Sequence, residues 1–172
     1  MFNLCGMVTP DTVYLTDTSM KILTPYVCGN PDFSSRAGKL FENFFHDLLR
    51  RRVQNQILIR QQISIFSWDI HDTYSVLVID MKGQQQDRLQ FVITYLCNLE
   101  DDCQAFEYDG YTVCIFHAVT ADSKSRFSAR VEKLLKNMSL KGAFSKNFTN
   151  ICDVDIYYMQ ASNIIQFSRR NN

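Results

Sequence analysis

The sequence predicts an α+β fold, in which helices pack on a central, mostly antiparallel sheet, ferredoxin-like or palm-type in outline. Three observations predict it. The 172-residue chain is 46% hydrophobic and 13% aromatic, a globular composition with enough material for one domain and its core. Residues 103–118, CQAFEYDGYTVCIFHA, read as two strands around Asp109-Gly110, because a type I′ turn needs φ > 0 at both central positions. Around that hairpin the order is strand–helix–strand–strand–helix–strand–helix, behind two leading helices and a short β-hairpin.

The elements follow in chain order. Residues 1–33 read as an extension separate from the main domain at 34–172. VYLTD (Val13–Asp17) and KILTPYV (Lys21–Val27) read as two short strands around Thr18-Ser19, and Pro25, Cys28, Gly29, Asn30 and Pro31 then break the pattern and form a linker. Two strands cannot bury a core alone, so they need the main domain, a second copy or upstream sequence to pack on. Ser34 or Ser35 caps a helix with Leu40, Phe41, Phe44, Phe45, Leu48 and Leu49 on one wide stripe, closed by Arg50-Arg51-Arg52. A second helix is expected from Asn55 to Phe66 with Ile57, Leu58, Ile63 and Phe66 inward. Trp68 follows, packed under the sheet edge with its indole N–H on a carbonyl.

Tyr74–Met81 is a nearly continuous apolar run and reads as a central strand. Gln85–Asn98 carries Leu89, Val92, Ile93 and Leu96 at helical spacing. Glu100-Asp101-Asp102 reads as a solvated acidic loop. In the hairpin, Val113, Ile115 and His117 face one way, and Thr112, Cys114 and Phe116 the other. Ser123 is the expected cap of a helix with Phe127, Val131, Leu134, Leu135 and Met138 inward. Leu140–Phe144 is a short strand, and Asn150–Arg170 a last helix with Val154, Tyr157, Tyr158, Ala161, Ile164 and Ile165 on its face.

Charge and motifs exclude more than they assign. Eighteen basic residues balance eighteen acidic ones, which argues against direct, specific DNA binding. The six cysteines show no CxxC pair, so reduced thiols in a cytoplasmic protein are expected. Neither a signal peptide nor a run of ~20 apolar residues occurs, so no membrane association is expected. His46, His71 and His117 lack metal-ligand spacing, and no phosphate-binding or nucleophile-elbow motif is present. Cys114 and His117 fall on opposite faces of one strand and cannot form a dyad. The carboxylate of interest is Asp80, ending a buried strand near the Asp109-Gly110 turn.

A strand ending in Asp80, a helix, and the turn Tyr108-Asp109-Gly110-Tyr111-Thr112 resemble the core of a GGDEF domain, the palm-type fold of diguanylate cyclases. More narrowly, ENFFHDLLRRRVQNQILIRQQ followed by WDIHDTYSVLVIDM, then FEYDGYTVCIF and FTNICDVDIYYMQASNII, resemble the GGDEF-like domain of the PucR/CdaR family of bacterial transcription regulators, across about 38–170. There the domain lies between a sensory domain and a helix-turn-helix. The segment YLTDTSMKIL resembles sensory-domain strands, and no helix-turn-helix precedes Asn172, so the chain reads as a fragment of a longer regulator.

The resemblance also implies a lost site. Cyclases use carboxylates to hold two metal ions. Here Asp109-Gly110-Tyr111-Thr112-Val113 occupies the five signature positions, with Tyr111 and Thr112 where the acidic pair belongs. Asp80 matches a metal aspartate, but Lys82 stands where a second is expected. No catalytic residues, metal or cofactor are therefore expected, and Asp80 is expected to accept backbone N–H groups at the strand end. The implied function is a non-catalytic regulatory, dimerising domain, contacting DNA only through a helix-turn-helix outside this chain. A divergent nucleotide-binding or cyclase-like enzyme, and a sensor for an unidentified small effector, are the alternatives. Metal-dependent GTP binding would discriminate the enzyme.

Overall fold

The computed structural model describes residues 41–99, 102–118 and 120–170. Contacts divide the chain into 1–41 and 42–172, and the architecture below is that of the second unit. The expected strands within 1–33, and the expected helix start at Ser34 or Ser35, lie outside the described residues.

Strands β1 (Tyr74–Asp80), β2 (Cys103–Tyr108), β3 (Tyr111–His117) and β4 (Gly142–Phe144) form one antiparallel sheet in the order β2-β3-β1-β4. A helix α1 covers 41–49. Next come α2 (Gln56–Ile63), α3 (Gln86–Cys97) between β1 and β2, α4 (Ala121–Met138) between β3 and β4, and α5 (Val154–Arg170). The path β1–α3–β2–β3–α4–β4 is the ferredoxin-like split βαβ, so the predicted fold class is the one observed. β1 pairs on both edges and is covered on both faces, which is why YSVLVID shows no polar alternation.

Two apolar layers sandwich the sheet. Tyr74, Val76 and Val78 of β1, Phe106 and Tyr108 of β2, and Val113 and Ile115 of β3 pack with residues of α1, α2 and α5. This layer is aromatic: Phe45 stacks on Phe106 with centroids 5.4 Å apart and planes 6° from parallel. On the other face Leu77, Ile79, Cys103, Cys114 and Phe116 pack with Leu89, Val92 and Leu96 of α3 and Phe127, Val131 and Leu134 of α4. Each fully buried Val, Leu or Ile contributes roughly 1.5–3 kcal/mol, so both layers are needed to offset the entropy of ordering the chain.

Five local expectations are corrected. In α2, Ile57 and Leu58 are exposed, and Ile59 and Ile63 are the buried pair. Three consecutive apolar residues cannot share one helix face, and Asn55, whose Oδ1 accepts from the Ile57 and Leu58 N–H groups, sets the phase. The helix also gives way to a 3₁₀ turn at Ser64–Phe66. Thr120, not Ser123, caps α4, and Ser123 is the third-position member of a capping box. Ile164 of α5 is exposed, because the buried face runs through Val154, Tyr158, Ala161 and Ile165. Trp68 packs among Phe45, Phe66 and Tyr74 as expected, but its buried Nε1–H has no hydrogen-bond partner among the described residues.

The arginine triplet closing α1 is spent within the domain. Arg51 donates to Asp155 at 2.6 Å, Arg52 lies 3.5 Å from Asp47, and Arg50 sits over the Tyr108 ring. α5 starts beside the beginning of β1, where Phe148 bridges Tyr74 and the Ile151 N–H donates to the Ile70 carbonyl. It ends beside the end of β1, and that placement builds the site.

Candidate functional site

The end of β1 and the hairpin turn meet. Asp109 (φ 52°) and Gly110 (φ 76°) are both left-handed, as the type I′ turn requires. Asp80 stands opposite Tyr111 in the β1–β3 register, and the Met81 N–H donates to the Gly110 carbonyl at 3.3 Å. Lys82 lies across the turn: its ammonium is 4.7 Å from the Tyr111 ring centroid. Gly110 carries the positive φ that favours glycine, and a Cβ there would meet the exposed, flexible Lys82 side chain, with Cγ at 3.2 Å.

The five signature positions do not converge on Asp80. Asp109 and Gly110 make the turn, and Asp109 is exposed. Tyr111 neighbours Asp80, but its buried hydroxyl has no hydrogen-bond partner among the described residues. Strand alternation sends Thr112 to the opposite face, where its buried hydroxyl likewise has no partner among the described residues. Val113 is core.

Asp80 accepts from the Lys82 N–H at 3.2 Å, as its place at a strand end suggests. Its principal partner is a residue the sequence reading missed. Arg169, in the last turn of α5, grips both carboxylate oxygens: Nη2 donates to Oδ1 at 2.6 Å and Nε donates to Oδ2. This is a bidentate, charge-assisted pair, on a carboxylate only 10% exposed. A signal existed. Arg169 is four residues after Ile165, the next place on the buried stripe of α5, and a charge there asks for a partner.

These residues do not fit the pair of divalent cations used by active relatives of the fold. Among the described residues, Asp80 is the one carboxylate placed at the end of β1, with Asp109 exposed on the turn, and both Asp80 oxygens already accept from the Arg169 guanidinium. An ammonium lies across the adjoining turn. A divalent ion beside Asp80 would have to displace Arg169 and would be repelled by both cations. Tyr158 of α5 closes the site from the side, edge-on to Tyr108 at 5.2 Å. Burial first, then the Asp109 charge, pushes its phenol well above the ordinary range, so it is a neutral wall.

The opposite end of the sheet carries the reverse charge balance. His117, closing β3, lies 3.1 Å from Asp72 through Nε2 and 3.6 Å from Asp102 through Nδ1. Asp102, expected in a solvated loop, keeps its side chain 45% exposed, while its backbone carbonyl accepts from the His117 N–H at 2.8 Å; Glu100 and Asp101 lie outside the described residues. Both carboxylates approach opposite sides of one ring, so the three groups face no common point. Among the described residues no group of three or more His, Cys, Asp or Glu could hold a metal ion. His46 Nε2 lies 2.6 Å from the Glu107 carbonyl, spent on holding α1 to β2.

Three thiols share the α3–α4 face. Cys103 donates to the Leu96 carbonyl at 2.9 Å, and its hydrogen bond with Cys114, then burial, pushes the Cys114 thiol well up. Burial raises Cys97 as well. Cys103 and Cys114 are core thiols and Cys97 is half-buried, and a raised thiol disfavours the thiolate form that nucleophilic chemistry uses. No described helix is long and apolar enough to cross a membrane.

The family of the GGDEF-like domain matches residues 50–167. No curated protein and no solved structure matches the chain.

Proposed function

The chain belongs to the GGDEF-like domain family, and from that premise we propose that it is a non-catalytic regulatory domain. It would work by self-association within a cytoplasmic, PucR/CdaR-like transcription regulator, carrying a signal between a sensory region and a helix-turn-helix that contacts the DNA. The observation that carries this reading is the Asp80–Arg169 pair. The carboxylate that a cyclase would give to a metal is given to the chain's own guanidinium. That ion pair ties α5 to the sheet, where it can transmit a displacement of the helix but cannot activate a hydroxyl. A kept fold with a rewired site is compatible with a changed function.

The test is an assay of the purified chain with GTP and Mg²⁺ or Mn²⁺, with cyclic di-GMP read by chromatography. The expected result is no product, and none from the double variant Tyr111→Asp with Thr112→Glu, because Thr112 faces away from Asp80. Clear turnover by the unmodified chain would replace this reading with the enzyme.

A further inference from the structure

We propose that the groove between α3 and α4 binds single-stranded nucleic acid, through its phosphates and stacked bases and without regard to sequence. The surface lies away from the end of β1, and the inference does not rest on the regulatory reading.

A net charge of zero excludes a basic chain but not a basic surface. Residues 124–146 hold seven Lys or Arg and one acid, Glu132. On α4, Arg126, Arg130 and Lys133 are exposed. At 100° per residue they fall within about 60° of one another and climb about 10 Å of the helix. This flank is the one turned toward α3. Leu135, on the other side of α4, lies against Gly142 of β4. Arg130 donates from Nη1 to the Leu99 carbonyl, just past the end of α3, at 3.0 Å.

The other rim belongs to α3. Phe91 is 54% exposed, and Tyr95, one turn on, is half-buried. Their rings stack with centroids 6.1 Å apart and planes 26° from parallel. Both sit on the α4 side of α3. Cys97, on the opposite flank, reaches the Ala105 carbonyl of β2. Arg88, in nearly the same helical phase as Tyr95, donates to the Met138 carbonyl at the end of α4. The Arg88 and Arg130 bonds show that the two helices run antiparallel. Between those bonds lie Phe91 and Tyr95 on one rim and Lys133 on the other. The acids Asp87 and Asp122 are in the first turns of α3 and α4, at opposite ends of the groove. Glu132 is on the flank of α4 turned away from α3.

The segregation of cations from rings says what fits. A single strand carries phosphates along one edge and bases along the other, and every base offers a π-face to an aromatic ring. An acidic amphipathic helix needs an apolar trough instead, and here Arg88 and Arg130 close the trough. A duplex keeps its bases stacked on each other and leaves Phe91 and Tyr95 without a role. Uniform phosphates and sequence-tolerant stacking give binding without base readout, so the groove agrees with the absence of specific DNA recognition.

Fluorescence anisotropy of the full chain tests this with labelled ~12-nucleotide oligo(dT) and oligo(U), a duplex of equal length, and polyglutamate as the acidic polypeptide. The expected result is micromolar binding of both single strands, at least tenfold tighter than of the duplex or polyglutamate. With three phosphates neutralised, affinity should fall about twentyfold between 50 and 200 mM salt. The double variant Arg126→Ala with Lys133→Ala should weaken binding at least tenfold and cut that salt dependence to about threefold. Phe91→Ala should weaken it at least fivefold with the salt dependence unchanged. All three positions are exposed, so both variants should keep the thermal midpoint of the parent. No binding of either strand at ~100 µM chain, equal binding of duplex or polyglutamate, or affinity indifferent to both variants would overturn the proposal. A tenfold preference for oligo(U) over oligo(dT) would also overturn it, since neither rim is placed to read the 2′-hydroxyl.

Discussion

The two ends of strand β1 hold the same kinds of groups in opposite proportion. At the end, one carboxylate, Asp80, serves the Arg169 guanidinium, with the Lys82 ammonium across the adjoining turn. At the beginning, one imidazole, His117, lies between two carboxylates, Asp72 and Asp102. In a cation-using palm the negative excess belongs at the end of β1, beside the hairpin turn. Here it lies at the other end, where the imidazole separates the carboxylates. The strand, its register and the turn are those of the fold. What differs is the sign of the charge they gather, and that sign decides which ligands each end tolerates.

The largest break in this comparison comes at the beginning of β1. His117→Ala removes a ring packed 5.5 Å from Tyr74 and 5.8 Å from Trp68, and leaves Asp72 and Asp102 without their shared partner. The expected cost is about 2–4 kcal/mol, read as a lower midpoint in urea unfolding. A cost within 0.5 kcal/mol would mean that the two carboxylates do not depend on the imidazole.

At the other end, Arg169→Ala should cost less, about 1–2 kcal/mol, because the guanidinium is 39% exposed and water screens part of the pair. Arg169→Lys should recover only part of it, since an ammonium cannot reproduce the two-pronged grip. Full recovery with Lys would reduce the contact to simple charge.

Much of the fold was legible in the sequence. The Asp-Gly turn, the unbroken apolar run of β1 and the helical stripes of α3 and α4 are local signals, and the expected element order and the observed one agree. Errors came where local pattern was ambiguous. Ile57-Leu58-Ile59 offers three apolar residues for a two-turn helix, and only the cap at Asn55 decides which is inward. Ile164 lies beside the buried Ile165, and periodicity alone did not separate the core stripe of α5 from the apolar stripe behind it. The site was half legible. Asp80 and the turn residues are near neighbours through strand pairing, which the hairpin fixes. Arg169 is 89 residues from Asp80 in the chain, and their meeting depends on where α5 crosses the sheet.

The smallest effect sharpens the comparison through pH. Tyr74, whose hydroxyl donates to the Asp69 carbonyl at the beginning of β1, and Tyr158, near its end, both have phenols raised well above the ordinary value by burial. A phenol raised by folding holds its proton more tightly in the folded chain. Its contribution is complete below the unfolded value of about 10 and is lost as pH climbs above it. Stability should therefore decline above pH ~10. Tyr74→Phe and Tyr158→Phe should each flatten that decline, and an unchanged slope in both would remove the phenols from the account.

The central claim is that Asp80 is committed to Arg169 and not to a metal ion. The most direct measurement is Mn²⁺ titration of the unmodified chain, followed by the electron paramagnetic resonance signal of free Mn²⁺, up to ~100 µM metal. The account predicts a free-ion signal rising in proportion to added metal, unchanged by Asp80→Asn. One bound ion per chain, lost on Asp80→Asn, would contradict it.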